Sequence, residues 1–402
     1  MRLLQLLIFT LPWAVLPRAH DPFWQPKELV WLAGCWVLIL TTLTRYPLVG
    51  STWNNRWAGW FGAWVLASGL AVFYWPYISY PAGAREIPFA IHVWLPTVYV
   101  LTGLVTIWVL RTYYCTSLAS VLALTRWSCY AAVSVAAYAL LQRVGADEFF
   151  RVDLRFAGQT GWPAHSMHTA FGNQQLTALY LSAHLPLFWV FRERRFLAGL
   201  ALVALAVALV PCTFTRLAGL GGLAAYGWVR WERRQPSRAR WSLLGVGVAG
   251  LLLLPWAVDR VQRDERWPVW QETIQLWQQR PITGYGLQSF PAYFHAGKAK
   301  RWSVQQVGKE AGWLHPHNEA LKVLFELGVP GLVLLLGALW TVLGTAWMNR
   351  HTVLGAAWAS SGIAVLLGSL AGFPWHLAPT AFTGMLIVAV LAAPLRTHGA
   401  TG

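Results

Sequence analysis

The chain has 402 residues, of which 56% are hydrophobic and 11% charged, against the ~25% charged expected of a soluble globular domain. With a mean hydropathy of +0.45, the composition excludes a water-soluble fold and predicts a polytopic membrane protein of about a dozen spans at ~20 residues each. Lys and Arg outnumber Asp and Glu by 31 to 15, a formal net charge of +16, which in such a protein reflects basic cytoplasmic loops and calls for no nucleic acid.

Apolar runs bounded by charges, Pro or Gly predict spans at 3–16, 28–44, 57–75, 89–110, 115–141, 168–191, 194–211, 213–231, 241–258, 318–347, 352–372 and 380–395. The first mimics a signal peptide, but Pro17-Arg18-Ala19-His20-Asp21 is a poor cleavage site, so an uncleaved helix is expected. Arg45/Arg56, Arg111, Arg192/Arg194/Arg195, the block from Arg230 to Arg240, Arg350 and Arg396 all follow even-numbered spans. The positive-inside rule puts these loops and both termini in the cytoplasm. Cys35, Cys115, Cys129 and Cys212 lie in or beside apolar runs without metal-type or paired spacing and read as small apolar residues.

Two outward loops are long, 142–167 and 259–317. The chain therefore divides into nine spans over 1–258, a loop over 259–317 capping the site, and three spans with a cytoplasmic tail over 318–402. The second loop carries Trp267, Trp270, Trp277, Phe290, Tyr293, Phe294, Trp302 and Trp313, too many aromatics for a solvated linker. From Arg266 to Arg280 the spacing of Trp270, Ile274 and Trp277 predicts an amphipathic helix lying along the outer membrane surface, stopped by Pro281 and Gly284. Most tryptophans fall near span ends and read as interfacial anchors; Trp267, Trp270 and Trp313 are set apart by lying beside the candidate site.

The sharpest chemistry is His315-Pro316-His317-Asn318-Glu319, followed by Lys322, Glu326, Gly328 and Gly331. A helix starting near Pro316 would set both glycines below His317 on one face, small enough for a helix or lipid tail to approach closely. A neutral His at a water–membrane boundary can take a proton from a hydroxyl. Glu326 is a carboxylate inside a span, which Lys322 four residues earlier can neutralise. Arg126, well inside the fifth span, either snorkels to the cytoplasmic side or pairs with an acid.

This constellation resembles the O-antigen ligase-like family of bacterial membrane glycosyltransferases, which includes lipid A-core ligases, O-antigen polymerases and O-linked protein oligosaccharyltransferases. The ligase signature is His, then Asn, Ser or Gln, nine residues, Gly, two residues, then Gly, Thr or Tyr. His317, Asn318, Gly328 and Gly331 fit it throughout. Pro281-Ile282-Thr283-Gly284-Tyr285-Gly286-Leu287-Gln288-Ser289-Phe290 is similar to the family's loop segment, and Thr215-Arg216 before Gly219, Gly221 and Gly222 to its Ser-Arg motif. Gly172-Asn173-Gln174-Gln175 resembles a Gly-Asn-x-Asn stretch, with Gln in place of the last Asn.

The resemblance implies an all-α, GT-C-like transmembrane bundle of about twelve helices in the bacterial inner membrane, its active site facing the periplasm. It implies a donor glycan on undecaprenyl diphosphate, an acceptor hydroxyl on lipid A-core or another molecule, and inversion without a metal or cofactor. By analogy His317, Arg216 and Arg266 are catalytic, the guanidinium groups binding phosphate oxygens. Asn318, His315, Asn173, Gln174 and Trp270 are the expected substrate-binding residues. The signature match and chain length favour lipid A-core ligation over polymerisation or protein glycosylation. The rival class is a polyprenyl-lipid flippase or transporter; it needs midplane ion pairs and two related halves, for which Arg126 and Glu326 are thin support and no internal repeat is evident.

Overall fold

The structure is a computed structural model that describes residues 1–15, 25–46, 55–74, 89–146, 169–171, 174–191, 213–232, 266–290, 294, 315–370 and 372–393. The expected spans at 194–211 and 241–258, and most of the loop 142–167, lie outside them. Among the described residues the elements are helices: α1 (Arg2–Thr10), α2 (Gln25–Arg45), α3 (Arg56–Tyr74), α4 (Phe89–Val109), α5 (Leu118–Arg143), α6 (Gln174–His184), α7 (Thr213–Glu232), α8 (Arg266–Trp277), α9 (Glu319–Asn349), α10 (Val353–Ser369) and α11 (Ala378–Leu391). Four stretches, Pro26–Arg45, Leu95–Tyr114, Leu118–Arg143 and Glu319–Asn349, are long and apolar enough to cross a membrane. The chain is a multi-pass membrane protein.

Helix ends follow local chemistry. Ser117 caps α5 by accepting from Ser120 N–H, and Thr352 caps α10 by accepting from Gly355 N–H, each filling one of the first-turn donors a helix leaves open. Pro186 turns the end of α6 into a 3-10 turn over Leu185–Val190. The fourth span runs past its expected end through a π turn over Leu110–Tyr114. Arg126 is exposed, its guanidinium carbon 5.7 Å from the centre of the Phe191 ring.

Packing gives the bundle two distinguishable ends. Helix α7 runs antiparallel to α10: a side chain at Gly221 would meet Leu367, and one at Gly222 would meet Ser360 and Ala364, while Trp228 stacks near Trp347 beyond the start of α10. At one end Arg111 Nε donates to Ala392 O at 3.0 Å, and Asn349 Nδ2 donates to Ala393 O at 3.1 Å. At the other, Asn318 Nδ2 donates to Leu370 O at 3.1 Å. Arg111 and Arg350, basic residues assigned above to the cytoplasm, thus sit at the end remote from His317. The first turn of α7, with Arg216, lies at the His317 end; the Arg216 side chain is outside the described residues.

Candidate functional site around His317

Helix α9 begins at Glu319, three residues later than expected from Pro316. Asn318 is its N-cap, with Oδ1 accepting from Leu321 N–H at 2.9 Å. His317 therefore stands outside the helix, with φ 55°. That left-handed conformation is uncommon for a side-chain-bearing residue, and such outliers cluster at functional sites.

Nor does Gly328 lie on a regular helical face. With φ 68° and ψ −172° it breaks α9, in a region that essentially belongs to glycine. The break makes a joint with the loop. Val329 N–H donates to Pro281 O at 2.9 Å, so the Phe325 carbonyl loses its usual donor and accepts from Tyr285 N–H at 3.0 Å instead. Pro330 has no N–H, so the Glu326 carbonyl would also be bare; Gly286 N–H supplies it at 2.8 Å. Gly284 (φ 63°) and Gly328 admit this approach, since a Cβ at either would lie 2.5 Å or less from backbone atoms of the other segment. The neighbour of Gly328 is the loop backbone, where a helix or lipid tail was expected. Tyr285 stacks on Phe325, ring centroids 4.7 Å apart, and Val269, Phe290 and Phe294 complete a small apolar core under the joint.

Helix α8 braces this assembly with a different face from the expected stripe. Arg266, Val269 and Thr273 are buried, while Ile274 is exposed. Trp270 Nε1 donates to Pro316 O at 2.7 Å, holding the segment beside His317, and Trp277 Nε1 donates to Pro281 O at 3.3 Å. Arg266 Nη2 donates to Gln175 Oε1 at 3.4 Å, bringing the start of α8 to the first turn of α6. Gln174 opens that turn, half-buried. Asn173 lies outside the described residues.

The imidazoles are held differently from one another. His317 Nδ1 lies 3.0 Å from His315 O. A carbonyl only accepts, so Nδ1 carries the proton and Nε2 is the basic nitrogen. His315 is buried and stacks on His376, ring centroids 4.7 Å apart. Its Nδ1 accepts from Lys322 Nζ at 3.1 Å. Burial first, then the nearby positive charge of Lys322 and of its neighbours His376 and His317, holds its pKa well below 6.5, so it stays neutral. Lys322 also forms the expected pair with Glu326, at 3.5 Å. Asn318, expected to bind substrate, has both ends of its amide in protein hydrogen bonds, to Leu321 N–H and Leu370 O.

Sequence reasoning missed His376 and gave Glu319 no role; their side chains pair at 3.1 Å while the Glu319 carboxylate also accepts from Trp375 N–H. The available signal was Phe373-Pro374-Trp375-His376, a polar and aromatic stop just before an apolar run.

Residues 200–336 match the model of the O-antigen ligase family, a stretch that holds Arg216, Arg266, the glycine joint and His317. This segment is similar to the O-antigen ligase family. An O-antigen ligase of Pseudomonas aeruginosa is 27% identical over 197 residues, in an alignment that covers 47% of this chain and 44% of that relative. The chain thus spans less than half the length of the O-antigen ligase it matches.

Proposed function

We propose that the protein is an inner-membrane glycosyltransferase that moves a glycan from undecaprenyl diphosphate to an acceptor hydroxyl on the periplasmic face, with lipid A-core as acceptor. The observation that carries this reading is the strained His317, its Nδ1–H fixed on His315 O at 3.0 Å, within a segment that matches the O-antigen ligase family. Nε2 is then the site that receives a proton at neutral pH.

In the proposed reaction the acceptor oxygen bonds to the anomeric carbon while the bond from that carbon to the diphosphate oxygen breaks. The acceptor's proton passes to His317 Nε2, and attack from the face opposite the leaving group inverts the anomeric centre. Arg216 and Arg266 neutralise the departing diphosphate, a role suited to forked, permanently charged donors. Arg266 starts buried at the root of α8. The lipid chain runs between helices.

The test is deletion of the gene followed by complementation. Wild type restores capped lipopolysaccharide, whereas His317→Ala and Arg216→Ala insert and accumulate normally but restore none. Capping by either variant would reject its assigned role. Loss of long chains alone in the deletion strain would reassign the enzyme to polymerisation, and loss of glycan from a protein to protein glycosylation.

A further inference from the structure

The catalytic assignment leaves a buried ion pair without a task. Lys322 and Glu326 are each 3% exposed and sit one turn apart on the first half of α9. Burying two charges is costly, and a buried pair is weak evidence for stability in its own right. Its partners are informative. The Glu326 carboxylate accepts from the backbone N–H groups of Gln288 and Phe290, in the loop that covers the glycine joint. Gln288 itself has φ 58°, so the carboxylate fixes a strained turn. Lys322 donates to Gln288 Oε1 at 3.3 Å and to His315 Nδ1 at 3.1 Å. His315 O in turn accepts Nδ1–H of His317.

We propose that Lys322 and Glu326 are positioning residues for His317: the pair locks the 286–290 turn to α9 and, through the Lys322–His315 hydrogen bond, orients the His315 carbonyl that sets the His317 tautomer. The inference rests on the reading of His317 as the base. Mobility of His315 about its own chain would let the carbonyl swing and would release the His317 ring into orientations that do not face an acceptor. Neutral His315 is part of the device, because a protonated ring has no lone pair at Nδ1 to accept from Lys322.

Burial and the positive groups around His315 hold it neutral in the wild-type protein. These groups are Lys322 on α9, His376 before α11 and His317 on its own segment; Glu326 pairs with Lys322 and Glu319 with His376. Lys322 is in direct contact and Glu326 lies behind it.

The test uses the full-length protein in membranes with its lipid-linked donor. Lys322→Met/Glu326→Gln keeps the side-chain volumes, leaves no unpaired charge, and retains an acceptor for the Gln288 and Phe290 N–H groups. The expected result is normal accumulation, donor KM within about twofold of wild type and kcat lower by about 10- to 100-fold as for other supporting-shell losses. Accumulation with wild-type kcat would overturn the proposal. Should the double variant fail to accumulate, His315→Asn and His315→Leu decide: Asn Oδ1 can accept from Lys322 where Leu cannot. Higher kcat for Asn supports the proposal and equal kcat overturns it. A wild-type enzyme that transfers no glycan would instead defeat the proposed function, so the two failures are separable.

Discussion

At the scale of single residues, the site is built from backbone conformations that few side chains tolerate. Gly328 is the clearest case, because both its φ of 68° and the Ile282 carbonyl oxygen 2.0 Å from a would-be Cβ exclude a side chain. Gly328→Ala adds a backbone penalty of ~1–3 kcal/mol to a steric clash with the loop. The expected outcome is a lower unfolding temperature, faster proteolysis of the 281–290 loop and loss of transfer. Gly344→Ala is the control, since nothing lies within 4 Å of the added methyl, and it should leave all three readings near wild type. The signature glycine was legible in the sequence but its purpose was not. Helical spacing put it on a face, whereas Pro330, two residues on, removes the donor that a continuous helix would need. Proline chemistry rather than periodicity decides the geometry.

At the scale of elements, the second signature position is explained by helix capping. Asn318 Oδ1 covers Leu321 N–H, and its Nδ2 ties the cap to the end of α10 at Leu370 O. Asn and Ser, two of the residues the signature allows there, are both strong N-caps. Asn318→Ala should cost about 1 kcal/mol of stability through the cap, with more from the lost tie to α10. Asn318→Ser should recover the cap and leave the tie broken. Thermal unfolding in detergent of wild type and the two variants orders them wild type, then Ser, then Ala; equal midpoints for Ser and Ala would reject the cap as the dominant contribution. The sequence located α8 but misjudged its buried face. Trp270 and Trp277 recur at helical spacing, yet their indole N–H groups reach the carbonyls of Pro316 and Pro281 from the edge of the interface. The buried stripe is Arg266, Val269 and Thr273, which hydrophobicity alone does not single out because two of its three members are polar.

At the scale of the whole molecule, the apolar runs located the described helices, because hydropathy along the chain is a one-dimensional consequence of crossing a bilayer. The cross-chain polar contacts were not legible. Glu319 with His376 and Asn318 with Leu370 join segments more than 50 residues apart, and no local spacing encodes them. These contacts put the His317 end of the bundle opposite the end carrying Arg111 and Arg350, which yields a topology test. Cys35, Cys115 and Cys129 are buried, so a membrane-impermeant maleimide should report on cysteines placed at exposed positions once Cys212 has been replaced. Gln279, just after α8, and His351, between α9 and α10, are both exposed. In intact spheroplasts Gln279→Cys should label and His351→Cys should label only after permeabilisation. Labelling of both positions from the outside, or of neither, would contradict a bundle whose loop and Arg350 turn lie on opposite faces. The reverse pattern would put His317 in the cytoplasm, away from any donor presented in the periplasm.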